Sequence, residues 1–310
     1  MKKVLLLDRN HPLITDQLGK QFLLEEDYHS PYDEVLKKIH EYEGIIIRSR
    51  IPVDRNFLEH ATKLEFIARV GAGMENIDTA FAEERNIQLI SSPEGNRDSV
   101  AEHVLGMLLM IMNRLRIAAE EVKQGIWLRE ENRGDELMGK TFGIIGYGNM
   151  GKAVAKRLKG FGVDVIFYDI KENIEDENAT AVSLAELQQR ADILSLHVPL
   201  TPLTHYYIDD EFISKMHKPF YLVNTARGKN VKTVAVVSGL QSGKIKGACL
   251  DVLEYEKASF ENIDQPQNAD LEFLLNSDNV IVTPHIAGWT HQSKTKLAQY
   301  IVDKILQFYS

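Results

Sequence analysis

The chain contains a single cysteine, no long apolar run and no excess of positive charge. Because Cys249 stands alone, an intramolecular disulfide and a cysteine-based zinc cluster are both excluded, which fits a protein of the reducing cytoplasm without a metal. No apolar run approaches the roughly 18 residues that a membrane helix needs, and the start, MKKVLLLD, is too short in apolar residues for a signal peptide. The formal net charge of -9 argues against nucleic acid or an anionic membrane as a partner.

The length of 310 residues exceeds what one hydrophobic core comfortably supports, so two domains are expected. Strand-like runs alternate with helical stretches in two series, which predicts the α/β class with two Rossmann-like doubly wound parallel sheets and a cleft between them. The runs of the first series are 4–7, 44–47, 64–70 and 87–90. The runs of the second series are TFGIIG, VDVIFYD, ILSLHV, FYLVNTA, IKGACLDV and VIVTPHI.

Two helical stretches lie outside this alternation. Residues 98–125 predict one long helix with Asp98 or Ser99 as its cap and Gly125 at its end, too apolar all round to have one solvated face. The last stretch, 291–309, predicts an amphipathic helix that returns to the first domain. We therefore expect a discontinuous, flavodoxin-like substrate domain of residues 1–96 and 288–310, and a dinucleotide-binding Rossmann domain of residues 97–287.

The stretch GIIGYGNMG places three glycines between a strand and a helix, and an acid closes the next strand. Gly146 permits a tight turn, Gly148 lets a pyrophosphate approach the backbone, and Gly151 lets the helix and the strand pack closely. The N–H groups at the start of the helix favour the phosphates. Asp169 suits the ribose hydroxyls and repels a 2′-phosphate, which predicts NAD as the cofactor in preference to NADP.

Three later segments, NTARG, LDVLEYE and TPHIAG, each follow an apolar run at the expected carboxyl edge of the sheet. Reduction of a 2-keto acid requires a proton donor and a cation for the carbonyl and carboxylate. His285 can supply the proton, Glu256 can hold its imidazole, and Arg227 can bind the acid. A Rossmann turn alone does not identify the substrate.

The motifs SVAEH, GIIGYGNMG, LHVPLT, NTARG, LDV and TPHIAG follow one another in this order. In this series the chain resembles the D-isomer-specific 2-hydroxyacid dehydrogenase family over nearly its whole length. The resemblance implies an NAD-dependent oxidoreductase with Arg227, Glu256 and His285 as its catalytic residues. It also implies a homodimer with the long helix at its interface, and a cleft that closes on the substrate.

The resemblance assigns the binding residues as well. Asp251 is implied to hold the nicotinamide carboxamide, and the backbone of the RVGAG turn to receive the substrate carboxylate. The predicted cofactor contacts are Gly146, Gly148, Asn149, Met150, Gly151, Asp169, His197, Val198, Pro199, Thr204, Thr225, Ala226, Asp251 and Gly288. The predicted substrate contacts are Arg48, Ser49, Arg50, Val70, Gly71, Ala72 and Gly73.

The sequence departs from the family pattern at two places. A proline usually follows the catalytic Glu, whereas Lys257 follows Glu256, which leaves Glu254 as the alternative partner of His285. The usual acidic pair after the ARG turn is replaced by Lys232 and Thr233, a change that we expect to affect helix capping.

The substrate is suggested by arginines near the expected carboxylate site. Arg48, Arg50 and Arg69 are suited to a phosphate because guanidinium groups bind it bidentately. Similar arginines in phosphoglycerate dehydrogenases favour 3-phosphoglycerate and a role in serine biosynthesis. The alternatives are a glyoxylate or hydroxypyruvate reductase and, in another class, a non-enzymatic NAD-binding corepressor.

Overall fold

The computed structural model describes residues 1–256 and 268–310, and the chain divides into two compact units. The first unit contains Met1–Asn96 and Trp289–Ser310, and the second contains Arg97–Gly288. The expected boundary after residue 287 therefore lies one residue later, after Gly288. Lys257 lies outside the described residues.

Both units are built from parallel strands that alternate with helices, as the repeated apolar runs predict. The strands are β1 (Lys3–Leu6), β2 (Leu23–Glu26), β3 (Gly44–Ile47), β4 (Phe66–Arg69), β5 (Gln88–Ser91), β6 (Thr141–Ile145), β7 (Asp164–Tyr168), β8 (Thr180–Ala181), β9 (Ile193–Leu196), β10 (Phe220–Asn224), β11 (Ile245–Leu250) and β12 (Val280–Val282). The helices are α1 (Leu13–Leu18), α2 (Tyr32–Lys38), α3 (Arg55–His60), α4 (Thr79–Glu84), α5 (Arg97–Met112), α6 (Leu115–Lys123), α7 (Asn149–Leu158), α8 (Leu184–Arg190), α9 (Asp210–Lys215), α10 (Thr233–Gln241), α11 (Ala269–Asn276) and α12 (His291–Phe308). None of these helices in the described ranges has the length and apolarity of a membrane span.

The sheet of the first unit has the strand order β2-β1-β3-β4-β5 with every pair parallel, the flavodoxin-like order. The sequence did not reveal β2, because its residues LLEE are largely exposed and lack a buried apolar face. Helix α12 belongs to this unit and buries Ala298, Ile301, Val302 and Ile305 in the same cluster as apolar residues of β1, β3 and β4. These positions form one helical face at the i, i+3, i+4, i+7 spacing.

The sheet of the second unit has the order β12-β11-β10-β9-β6-β7-β8, again with every pair parallel. Six of its strands match the predicted runs, and the two-residue β8 at the edge is an addition. The strand order reverses between β6 and β9, and nucleotides bind at such a switch point in doubly wound sheets. The fold thus places the glycine turn after β6 and the LHVPLT segment after β9 at the binding position.

The prediction of one helix over residues 98–125 was wrong. Helices α5 and α6 are separated at Asn113 and Arg114, and Arg114 has a left-handed backbone with φ of 54°. The carbonyl oxygen of Met112 accepts a hydrogen bond from the Asp135 N–H at 2.8 Å, and a Cβ on Gly134 would lie 2.5 Å from that oxygen. A segment distant in sequence therefore ends the helix, which local periodicity does not reveal.

Candidate active site

The glycine turn lies between β6 and α7, at the switch point of the second sheet. Gly146 has φ of 92°, a left-handed conformation that favours glycine, and a Cβ there would lie 2.6 Å from the carbonyl oxygen of His197. Among the described residues other than its chain neighbours, no heavy atom lies within 4 Å of the position that a Cβ on Gly148 would take. Asn149 and Met150 open α7, so their end of the helix points its N–H groups toward this open space.

Asp169 follows β7 and lies directly beside the glycine turn. Its Oδ2 accepts from the Tyr147 N–H at 2.7 Å, and its Oδ1 accepts from the Lys171 N–H at 2.9 Å. The Tyr147 ring lies stacked on Phe167 of β7, with ring centroids 3.9 Å apart. Two backbone donors thus fix the carboxylate in one orientation, which suits a group that binds a ribose diol.

The LHVPLT and NTARG segments bring further predicted cofactor residues to the carboxyl edge of the sheet. Within the described chain, His197 Nδ1 and Thr225 Oγ1 are buried and have no hydrogen-bond partner. Burial lowers the pKa of His197 to about 4, so its imidazole is neutral near pH 7. Unsatisfied buried polar atoms at this edge fit a site that receives a polar ligand.

The loop after Val198 is held by its own hydrogen bonds. Thr204 Oγ1 donates to the Pro199 carbonyl at 2.6 Å, and Asn230 Nδ2 donates to the Thr204 carbonyl at 3.0 Å. These bonds connect the loop to the turn that carries Ala226 and Arg227. Thr204 therefore shapes the loop, and its hydroxyl already has a protein partner.

His285 and Glu256 form a direct pair. His285 Nδ1 lies 2.7 Å from Glu256 Oε2, and the second carboxylate oxygen accepts from the Leu253 N–H at 2.5 Å. Both side chains are largely buried, with 24% and 12% of their side-chain surfaces exposed. Despite the missing proline, Glu256 is thus the acid that contacts His285.

Glu254 has a different set of partners. Its Oε1 accepts from the Thr233 N–H at 2.8 Å at the start of α10, and its Oε2 accepts from the Tyr206 hydroxyl at 2.6 Å. Lys232 and Thr233 stand where the family usually has two acids, and Glu254 places a carboxylate at the start of α10 in their stead. Glu254 supports the helix and the Tyr206 loop, which rules it out as the partner of His285 in this structure.

Arg227 lies in a turn built by Asn224. The Asn224 side chain accepts from the Ala226 N–H and donates to the Arg227 carbonyl, both at 3.0 Å. A Cβ on Gly228 would overlap the carbonyl group of Leu253. The backbone of the Arg227 turn is therefore packed against the segment that carries Glu256.

His285 itself stands in a constrained turn around Asp251. His285 has φ of 55°, which is unusual for a residue with a side chain and costs on the order of 1–3 kcal/mol. Its N–H donates to the Asp251 carbonyl at 2.8 Å, and the N–H groups of Ile286 and Ala287 donate to the Asp251 carboxylate at 2.9 and 2.8 Å. Asp251, which was expected to hold the nicotinamide, uses its carboxylate to hold the turn of His285.

The electrostatics of Asp251 agree with this arrangement. Burial by itself raises the pKa of this carboxyl, of which 1% is exposed. Hydrogen bonds from His103, Thr283 and the N–H groups of Ala287 and Ile286 more than compensate, so the pKa lies below its ordinary value. Asp251 is therefore an ionised acceptor at neutral pH.

The predicted substrate turn lies in the first unit, directly after β4. The Val70 N–H donates to the Ile47 carbonyl at 2.8 Å, and the Gly71 carbonyl accepts from the Ser92 N–H at 2.9 Å. These two hydrogen bonds hold Val70 and Gly71, the first residues of the turn, which continues through Ala72 and Gly73. The turn is thereby placed beside the residues that follow β3.

The arginines of the first unit do not share one role. Arg50 was predicted to contact the substrate, but its guanidinium donates to the carbonyls of Leu7, Ser30 and Asp27 at 2.6, 2.7 and 2.9 Å. It joins three chain segments and is a structural residue. Arg48, next to Ser49 in the bend after β3, instead has its guanidinium 4.4 Å from the ring centroid of Trp289.

The protein-family model for the NAD-binding domain of D-isomer specific 2-hydroxyacid dehydrogenases matches residues 105–287. The chain belongs to the D-isomer specific 2-hydroxyacid dehydrogenases. It is an NAD-dependent oxidoreductase that interconverts D-2-hydroxy acids and 2-keto acids, and the glycine turn, Asp169 and the unsatisfied polar atoms of the second unit fit NAD. In the described residues, no group of three His, Cys, Asp or Glu side chains is arranged to hold a metal ion.

Similar proteins divide among several substrates. The dehydrogenase is 36% identical to the hydroxypyruvate reductase of Thermotoga maritima over 94% of this chain and 92% of that protein. It is 38% identical to the D-3-phosphoglycerate dehydrogenase of Methanocaldococcus jannaschii over 88% of this chain, but spans only 51% of that protein. The D-lactate dehydrogenase of Aquifex aeolicus, solved with NAD and lactic acid, has a TM-score of 0.84 at 30% identity, covering 99% of this chain and 95% of that chain.

Replacing Asp169 tests its role at the cofactor. In the dehydrogenase variant Asp169→Ala, we expect the preference for NADH over NADPH, measured as the ratio of kcat/KM values, to fall at least about tenfold, equivalent to 1.4 kcal/mol. The reason is that the repulsion of a 2′-phosphate and the acceptor for the ribose are both removed. Asp176→Asn, which keeps an oxygen for Tyr147, is the control. An unchanged ratio in Asp169→Ala would contradict the ribose role.

Proposed function

We propose that the protein interconverts 3-phosphoglycerate and 3-phosphohydroxypyruvate, as a step of serine synthesis in the cytoplasm. The observation that carries this proposal is the position of Arg48, whose guanidinium stacks on Trp289 beside the turn that follows β4. A guanidinium stacks on aromatic rings and binds phosphate or carboxylate bidentately, so arginine is the residue suited to such a site. Arg69 donates from its Nε to the Arg48 carbonyl at 3.2 Å, so a second cation lies at the same edge.

The proton chemistry is assigned to His285 and Glu256. Bound NADH supplies the hydride. Because Nδ1 of His285 faces Glu256, Nε2 is the nitrogen that donates a proton to the substrate oxygen during reduction and takes it back during oxidation. Glu256 holds the ring in the orientation in which Nδ1 faces its carboxylate.

Arg227 and the substrate turn are assigned to binding. The guanidinium of Arg227 polarises the carbonyl and contacts the carboxylate of the keto acid. In the first unit, the N–H groups of Ala72 and Gly73 are the donors of the substrate turn assigned to a carboxylate, because those of Val70 and Gly71 donate to the carbonyls of Ile47 and Arg69. In this scheme the chain's residues orient the acid and move the proton.

A glyoxylate or hydroxypyruvate reductase is the second candidate function. Two observations favour it: the guanidinium of Arg50 is engaged by backbone carbonyls, and the T. maritima relative named a hydroxypyruvate reductase matches along 92% of its length. One of the three arginines that suggested a phosphate therefore has a structural role.

Initial rates of NADH oxidation distinguish the two functions. We compare phosphohydroxypyruvate, hydroxypyruvate and glyoxylate in the wild type and in Arg48→Gln. A hydrogen bond to a charged group contributes about 1.5–3 kcal/mol, so kcat/KM for phosphohydroxypyruvate should fall about 10- to 150-fold, and that for hydroxypyruvate less than about threefold.

Two variants serve as controls for this comparison. Arg50→Lys should lower the unfolding temperature without changing the ratio of the kcat/KM values, because Arg50 acts through the fold. His285→Ala should lose about 10²- to 10⁴-fold in kcat with every keto acid. Equal losses in Arg48→Gln for phosphorylated and unphosphorylated acids, or a wild-type preference for hydroxypyruvate, would assign the protein to the second function.

We also propose that the protein is a homodimer. In the described part of the chain, α6 has no buried residue, although it is amphipathic. Large apolar side chains are exposed on α6, at Leu115 and Val122, and in the segment after it, at Ile126, Trp127 and Leu128. An apolar surface of this kind fits a second copy of the same helix in a two-fold interface.

Light scattering coupled to size exclusion tests the dimer. We expect a mass of about twice the chain's 35.2 kDa for the wild type. Val122→Asp with Trp127→Asp should shift it toward one chain mass, because two charges would be buried in the interface. Glu120→Gln, which removes a charge from the same helix instead of adding one, is the control. A wild-type mass of one chain would contradict the proposal.

A further inference from the structure

The SVAEH motif lies on α5 and has no role in the scheme above. Ser99 and His103 are four residues apart, so they lie on the same face of this helix. Ser99 is buried, and His103 has 21% of its side chain exposed. Both side chains contact the turn that carries His285.

The contacts connect the helix to the two ends of that turn. Ser99 Oγ donates to the Ala287 carbonyl at 2.6 Å, two residues after His285. His103 Nε2 lies 3.0 Å from Thr283 Oγ1, two residues before His285, and 3.5 Å from Asp251 Oδ1. The helix therefore contacts the turn on both sides of the histidine.

The direction of each hydrogen bond follows from the charge of Asp251. An ionised carboxylate accepts only, so the Thr283 hydroxyl, 2.6 Å from Asp251 Oδ1, donates its single proton to that oxygen. Thr283 Oγ1 must then accept from His103, which requires a proton on His103 Nε2. The hydroxyl of Thr283 is thus oriented by a donor on one side and an acceptor on the other.

The turn needs such restraint because of its backbone. His285 has φ of 55°, and such a conformation persists only where surrounding contacts impose it. Asp251 supplies those contacts by accepting hydrogen bonds from three backbone N–H groups. The Thr283 hydroxyl is a further donor to its carboxylate, and His103 contacts that hydroxyl. Loss of the outer donors would leave Asp251 oriented by the turn alone.

We propose that His103 is a positioning residue for the reaction: its Nε2–H orients the Thr283 hydroxyl onto Asp251 and thereby holds the turn in which His285 faces Glu256. Ser99 anchors the other end of the same turn. This inference rests on the proposed proton-transfer role of His285. The SVAEH motif thus acts on the chemistry through two hydrogen bonds from one helix.

Steady-state kinetics on the full-length protein test this role. In His103→Leu we expect kcat to fall about 10- to 100-fold, with the KM for NADH within about twofold of the wild type, because the glycine turn and Asp169 are untouched. His103→Gln can donate from its amide to Thr283, so it should recover kcat to within about threefold. His217→Leu removes an exposed histidine of the same unit and should match the wild type.

A double-mutant cycle separates positioning from general loss of stability. Thr283→Val removes the hydroxyl at nearly constant shape and should lower kcat by a similar factor. Because both residues act through one hydrogen bond, His103→Leu with Thr283→Val should be no worse than Thr283→Val alone. If His103→Leu does not fold, Thr283→Val and His103→Gln still provide the comparison.

The outcomes distinguish this inference from the proposed function. Wild-type kcat in folded His103→Leu or Thr283→Val, with His285→Ala inactive, would overturn the role of His103 alone. Failure of His103→Gln to recover kcat, or multiplied losses in the double variant, would also overturn it. Wild-type turnover in His285→Ala would instead refute the proton-transfer role on which the inference rests.

Discussion

The side-chain carboxylate of Asp251 accepts hydrogen bonds from the Thr283 hydroxyl and from the N–H groups of Ile286 and Ala287. The backbone carbonyl of Asp251 accepts from the His285 N–H. The pKa of this buried acid lies below its ordinary value because these donors outweigh the effect of burial. The end of β11 therefore determines the path of the chain after β12. His285 keeps its left-handed backbone because this ionised side chain lies inside the turn.

The other parts of the second unit depend on the same region of the sheet. The segment that follows Asp251 carries two acids with separate tasks: Glu254 holds the start of α10 and Tyr206, and Glu256 holds the imidazole of His285. The backbone of Gly228 packs against this segment, which couples the position of Arg227 to that of Glu256. The residues proposed for catalysis, Arg227, Glu256 and His285, are thus connected through the packing of Gly228 and the Glu256–His285 pair.

Much of this arrangement was predictable because it follows from local chemistry. The glycine spacing, the acid after β7 and the polar residues at strand ends placed the NAD site and the candidates Arg227, Glu256 and His285. Strands with a buried apolar run were found, whereas β2 was missed because LLEE is largely exposed. The choice between Glu254 and Glu256 needed the structure, since both lie in one short segment.

The features that were missed or wrong depend on contacts between distant segments. The break after Met112 is caused by residues near Asp135, and Arg50 is engaged by carbonyls from three segments, so neither appears in the local pattern. The same holds for His103, which contacts Thr283 at a separation of 180 residues. The signal in the sequence was the spacing of Ser99 and His103, which predicts one shared helix face.

The measurement that tests the account most directly is the turnover of Asp251→Asn beside its affinity for NADH. Asparagine has nearly the same shape but only one accepting oxygen, so it cannot serve the hydroxyl and both N–H groups at once. The account predicts a kcat about 10²- to 10³-fold below the wild type, approaching that of His285→Ala, with NADH binding by fluorescence within about threefold. A folded Asp251→Asn protein with wild-type kcat would contradict it.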